Sequence, residues 1–240
     1  MGAVGLTAEE IDGPSLSDLA QKLSQCVLAV EDARVNKGYF PILLITSFFL
    51  TIIEQGWSIE VLCRNERYFD AKIILRSSLE HLIEMKLLAA GDPKHTERLK
   101  LEYNQHLTKS LSDAKAGNPY ASKIAEKIEL DTELDTELEA LAEYKKGIEE
   151  RGGKKINSHD RFKAAGFSNE YQVMYSDLSK LAHPTFAGVI ERNLVLDDST
   201  SGFTIHCNRL AEIETIDVTI GTAIDVLSAA LEVFTNHKKL

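Results

Sequence analysis

The stretch AKIILRSSLEHLIEMKLL, residues 71–88, decides the fold. Wound at about 100° per residue, it places Ile73, Leu79, Ile83 and Leu87 within about 60° of Arg76. Ile74, Met85 and Ala89 lie on the far side. A helix that is apolar nearly all round buries itself among other helices. The stretch therefore predicts the central helix of an all-α, multi-helix bundle.

Working outward, Gly91-Asp92-Pro93 stops this helix, and Arg67 to Asp70 separates it from the one before. That earlier helix begins near Pro41, where a missing N–H costs nothing, and runs to about Glu66. A first helix starts at a Ser15 or Ser17 cap and ends near Asn36, after a loose segment 1–13. Beyond Pro93, helices of about 94–116 and 120–150 form a hairpin arm over 94–150. In LDTELDTELEAL, Leu130, Leu134, Leu138 and Leu141 give the second of these a single apolar seam. Short helices follow near Ser158–Gly166 and Ser168–Ala182, and a last one covers about 210–236. The exception to helix is NLVLDDSTSGFTIHC, where two apolar runs around a Ser/Gly/Asp turn signal one small β-hairpin near 193–207. No composition shift marks a boundary, so the expectation is one helical domain over 1–240.

The chain is long enough to bury roughly 70% of its unfolded surface. Its net charge of −10 argues against a protein whose main task is non-specific contact with nucleic acid or anionic lipid. Cys26, Cys63 and Cys207 are odd in number and far apart, which predicts reduced thiols in a cytoplasmic protein. The acidic start MGAVGLTAEEID lacks the layout of a signal peptide. The greasiest run, Tyr39 to Ile53, is shorter than the ~20 residues that span a bilayer, so it reads as a core helix, with a membrane span the minor alternative and no membrane partner expected.

Arg76 and Glu80 put charge on a face that packing would fill with leucine. Burying an unpaired charge is costly, so the two should pair with each other or with groups across the core. Either they form a structural ion pair or they line a polar pocket. Tyr175, Ser179 and His183 recur at i, i+4, i+8, one stripe of hydroxyl, hydroxyl and imidazole that could face them. Pro184 pushes His183 out of helical geometry, and a histidine at a helix C-terminus can also simply bond the last carbonyls. The seven histidines form no HxxxH or Glu-x-x-His pattern, so no metal and no cofactor is expected. A phosphate loop, a nucleophile elbow and a dinucleotide fingerprint are also lacking.

These residues carry a resemblance. Residues 71–88, followed after a charged insert by YQVMYSDLSKLAHPTF (171–186), resemble an uncharacterised bacterial family of helical domains, the domain of unknown function 5677 type. In that family an Arg-x-x-x-Glu helix precedes a Tyr-x-x-x-Ser-x-x-x-His segment; Arg76 and Glu80 match the first, and Tyr175, Ser179 and His183 the second. The resemblance spans roughly 40–190 and implies a helical bundle without an established activity. A looser likeness is to the HEPN superfamily, many of whose members cleave RNA. Its Arg, then four to six residues, then His, is met by Arg76-Ser-Ser-Leu-Glu-His81. Here Ser77 stands where Asn, Asp or His often follows the Arg, and the helix is central, not late. That likeness implies a dimer in which Arg76 faces phosphate and His81 acts as base.

Two main readings follow. One is a binding module, in defence or stress response, that forms a homodimer and takes a protein partner or a small ligand. The other is a metal-independent RNase of HEPN type. A further hydrolase or transferase built on Arg76, Glu80, Tyr175, Ser179 and His183 would require those five to converge on an open cavity.

Overall fold

The computed structural model describes residues 13–31, 40–121, 123, 134–183, 185, 188, 190, 192, 194–197, 202–205 and 213–237. Cys207, Leu130, the first LDTE and Pro184 lie outside these. The fold is all-α with one two-stranded hairpin among the described residues. Its elements are α1 (Leu16–Glu31), α2 (Phe40–Arg64), α3 (Tyr68–Ala89), α4 (Pro93–Lys115), α5 (Leu134–Glu150), α6 (Ser158–Ala164), α7 (Ser168–Glu170), a π-helical turn (Tyr171–Tyr175), α8 (Ser176–Ala182), β1 (Leu194–Asp197), β2 (Gly202–Ile205) and α9 (Ile213–His237).

Two compact units are present, residues 1–89 with 161–240, and residues 90–160. In the first, α1, α2, α3 and α9 pack on one another. Ser15 caps α1: its hydroxyl accepts from the Asp18 N–H, while the Asp18 carboxylate accepts from the Ser15 N–H. This reciprocal arrangement satisfies donors that the first turn leaves open. The two Ser15 bonds also hold the Asp18 carboxyl below its ordinary value. The core draws on Leu19, Leu23 and Cys26 of α1, Ile45, Phe49 and Ile52 of α2, Leu75, Leu82 and Met85 of α3, and Val226, Leu227 and Phe234 of α9. Phe49 and Phe234 stack at 4.5 Å. Gly56 lets α1 and α9 approach α2 closely, since a Cβ there would sit 2.7 Å from Leu23 Cδ2.

Between α2 and α3, Glu66 adopts φ 58°, and the chain reverses within three residues. Gly91, at φ 75°, ends α3 in the left-handed conformation that glycine tolerates best. The expected hairpin is there, with β1 antiparallel to β2 and Leu194 opposite Ile205.

In the second unit, Asp92 caps α4 through the Lys94 N–H, with Pro93 in the first turn. Here α4 packs on α5, and the Asn104 amide donates to the Leu141 carbonyl at 3.1 Å. Leu101, Leu111 and Ile148 are buried, whereas Leu138 and Leu141 of the expected seam are half-buried.

Two helical stretches, Phe40–Arg64 and Thr215–His237, are long and apolar enough by composition to cross a membrane. The first exceeds the 39–53 run because α2 continues to Arg64. Both put part of that apolar window, 39% and 44% of it, inside the structure.

Candidate functional site

Helix α3 positions the first group of polar side chains. Arg76 and Glu80, one turn apart, are not at the centre of the core-facing arc, which Ala71, Leu75, Ser78, Leu82 and Met85 occupy. They lie about 140° and 180° round the helix from its centre, with side chains 21% and 29% exposed. Across from them stands Tyr175, the last residue of the π turn, buried against the ring of Phe162 at 4.8 Å. Its hydroxyl donates to Glu80 Oε1 at 2.5 Å and accepts from Arg76 Nη2 at 2.8 Å. The same Arg76 nitrogen reaches Glu80 Oε1 at 3.2 Å. The three groups close a ring of charge-assisted bonds, stronger than bonds between neutral groups. The guanidinium also lies 5.0 Å from the Tyr175 ring centre. Arg76 Nε is buried with no hydrogen-bond partner among the described residues.

A second network lies about 140° round α3 from Arg76. Gln55 of α2 reaches over three α3 side chains. Its amide donates to Ser77 Oγ at 2.9 Å, and its carbonyl accepts from Ser78 Oγ at 2.9 Å. That carbonyl also lies 3.2 Å from His81 Nδ1, and the His81 ring packs beside Phe48 at 5.6 Å. Burial pushes the His81 imidazole below its ordinary pKa, against the pull of Glu80 and Glu84 upward. His81 is thus held in its neutral form at pH 7, the form a general base requires.

The structure joins Arg76, Glu80 and Tyr175. It does not join the rest of the stripe to them: among the described residues no hydrogen bond links Ser179 or His183 to that ring. Ser179 is half-buried, and its carbonyl accepts the His183 N–H at 3.2 Å. His183 caps α8 in extended geometry, φ −105° and ψ 151°, with its side chain exposed. The residue before a proline is pushed into this region.

Sequence reasoning passed over Lys72, one turn before Arg76 and only 8% exposed. It lines a cavity of about 240 Å³ between α3, the π turn with α8, and α9. Leu75, Val173, Met174, Leu178 and Val218 supply the apolar wall, and Asp177, Thr219 and Thr222 the remaining polar groups. The only signal for it in the sequence is a lysine in an otherwise apolar turn of α3. The π turn, which sets Tyr175 against Arg76 while Val173 and Met174 line this cavity, has no recognisable signature in YQVMY. Such insertions often mark functional sites.

Three further ion pairs also lay beyond the sequence reading. Arg161 Nη1 meets Glu84 Oε1 at 2.7 Å beside α3. In the other unit, Glu97 binds Lys100 and Arg151, each at 2.8 Å. Burial raises the Glu97 carboxyl, but the hydrogen bonds and charges of Lys100 and Arg151 outweigh it and hold the group below its ordinary value. Among the described residues no group of three or more His, Cys, Asp or Glu side chains could hold a metal ion.

No curated protein and no solved structure matches the chain. Residues 43–201 match a family of unknown function, DUF5677. The matched segment runs from α2 through the π turn and α8, so it takes in Gln55, both α3 networks and Lys72. With well over half its length inside that match, the chain belongs to the family of unknown function DUF5677.

Proposed function

We propose that this protein is a non-catalytic binding module whose ligand is a small, largely apolar molecule with an anionic or hydrogen-bond-accepting end. The observation that carries the reading is the cavity between α3, the π turn with α8, and α9, whose wall sets Lys72, Thr219 and Thr222 among Leu75, Leu178 and Val218. Such a lining meets an apolar body over most of its surface and a hydrogen-bond acceptor at its few polar groups. The cavity is smaller than the 300–1,000 Å³ usual for drug-sized ligands, which favours a short-chain molecule. The adjacent Arg76–Glu80–Tyr175 ring is closed on itself and offers recognition and rigidity in preference to proton transfer. The same reading sets the protein in the bacterial cytoplasm, in defence or stress response, with its acidic charge and three unpaired-by-spacing cysteines in support.

The test is a titration of the methyl-labelled protein with octanoate, octanol and octylamine. Octanoate should shift the Val173, Met174 and Val218 methyl signals, and Lys72→Met should abolish the response. Octylamine should bind least. Absence of shifts at those methyls, or equal binding to Lys72→Met, overturns the reading.

One observation favours the HEPN-type RNase as a second reading: His81 is neutral and its Nδ1 is oriented by Gln55. Arg76, however, is engaged with Glu80 and Tyr175 on the other side of the helix. RNA cleavage by the purified protein that survives His81→Ala would remove this alternative.

A further inference from the structure

One face of α2 packs into the core and the opposite face carries exposed apolar side chains. Phe40, Leu43, Leu50, Trp57 and Val61 are 39–54% exposed. With Ser47 and Glu54, also exposed, they recur at alternating spacings of three and four residues, 40, 43, 47, 50, 54, 57 and 61. At about 100° per residue these seven positions fall within an arc of about 100°. The buried positions, among them Ile42, Ile45, Phe49, Ile52, Gly56 and Ile59, occupy the opposite arc. A 3–4 repeat holds an apolar seam straight along a helix and is the spacing with which one helix meets another lengthwise. The seam runs some 32 Å, at about 1.5 Å per residue.

The order of residues in the seam indicates what covers it. Read from Leu50 in either direction, the pattern is the same: a polar residue (Ser47 or Glu54), then two large apolar ones (Leu43 and Phe40, or Trp57 and Val61). A twofold interface sets a patch against itself. We infer that this face docks antiparallel on the same face of a second copy of the chain, with the twofold axis at Leu50. That arrangement sets Phe40 against the partner's Val61, and Leu43 against the partner's Trp57. The Ser47 hydroxyl, which donates to the Leu43 carbonyl at 2.8 Å in the single chain, then faces the partner's Glu54 and turns its hydrogen to that carboxylate in the dimer. A lipid surface is a poorer occupant, because it would have to take up the Glu54 charge in the middle of the apolar stripe. One pair of helices supplies an interface at the small end of the stable range, so the dimer is concentration-dependent. This inference does not rest on the cavity reading, and its test involves neither Lys72 nor a ligand.

The experiment uses the full chain with Cys207→Ser. Burial raises the thiol of Cys26 to about 11 and that of Cys63 to about 12, so both stay unreactive near neutral pH. Light scattering should show a monomer–dimer equilibrium, and Leu50→Glu should weaken it roughly tenfold or more with helicity unchanged. Under mild oxidation, Leu50→Cys should cross-link to its own copy. Leu43→Cys should not, because antiparallel pairing keeps the two copies of residue 43 about 21 Å apart along the axis, beyond disulfide reach. Four results would each overturn the inference: a monomer at high concentration, a dimer indifferent to Leu50→Glu, equal cross-linking of both cysteine variants, or a monomer that sediments with phosphatidylcholine vesicles.

Discussion

Helix α3 presents different polar solutions on its two sides. Towards the π turn, Arg76 and Glu80 stay partly exposed and pair with each other, and the buried Tyr175 hydroxyl bonds both. Towards α2, Ser77, Ser78 and His81 are neutral and are gathered by a single amide, Gln55. The difference shows how a densely packed helix carries polar groups. Where water still reaches, an ion pair survives with a hydroxyl as its third member. Where an imidazole is partly buried beside a neutral amide and a phenyl ring, with no carboxylate among the described residues bonded to it, burial lowers its pKa and favours the neutral form. Two residues that look like one motif in the sequence, Arg76 and His81, thereby belong to separate environments.

The network on the π-turn side depends most on Tyr175. Tyr175→Ala removes the ring packed on Phe162 together with the hydroxyl, and should cost about 3–5 kcal/mol in a urea unfolding experiment. Tyr175→Phe keeps the ring and deletes only the hydroxyl that joins Arg76 to Glu80. Because the ion pair persists and is partly solvated, the expected loss is about 1–2 kcal/mol. A loss below about 0.5 kcal/mol would mean that water replaces the hydroxyl without penalty.

The other side of α3 should respond to pH. His81 has a folded-state pKa below its ordinary value near 6.5. The unfolded chain therefore binds its proton first, and the stability contributed by neutral His81 is complete above pH 6.5 and is lost as pH falls below it. The slope assignable to this one group is at most about 1.4 kcal/mol per pH unit. His81→Gln should flatten the thermal midpoint against pH between about 7.5 and 5.5 relative to the parent. An unchanged profile would show that His81 takes up its proton without disturbing Gln55.

Much of the fold was legible in the sequence because local rules dictated it. Residues 71–88 read as a buried helix from their all-round apolarity, Gly91 and Pro93 mark a real boundary, and the turn signals around 193–207 correspond to β1 and β2. The site was legible only in part. Arg76 and Glu80 stood out as charges at apolar positions, and Tyr175 could be named because it shares helical spacing with Ser179 and His183. Beyond Tyr175 the same spacing is not matched by hydrogen bonds from Ser179 or His183 to that ring among the described residues, and regular periodicity carries no knowledge of which way a π turn aims the residues around it. Gln55 was invisible for a different reason. Its importance comes from α2 lying against α3, a pairing that no local pattern in residues 50–60 encodes. Lys72 was masked by its neighbour Arg76, whose charge on the apolar face drew the same argument.

The central claim is that Arg76 and His81 are wired separately. A double-mutant cycle with Arg76→Gln and His81→Gln, read as unfolding free energy at pH 7.5, tests it directly. Independent networks predict additivity within about 0.5 kcal/mol. A coupling energy of about 1 kcal/mol or more would contradict the account and return the two residues to a single shared site.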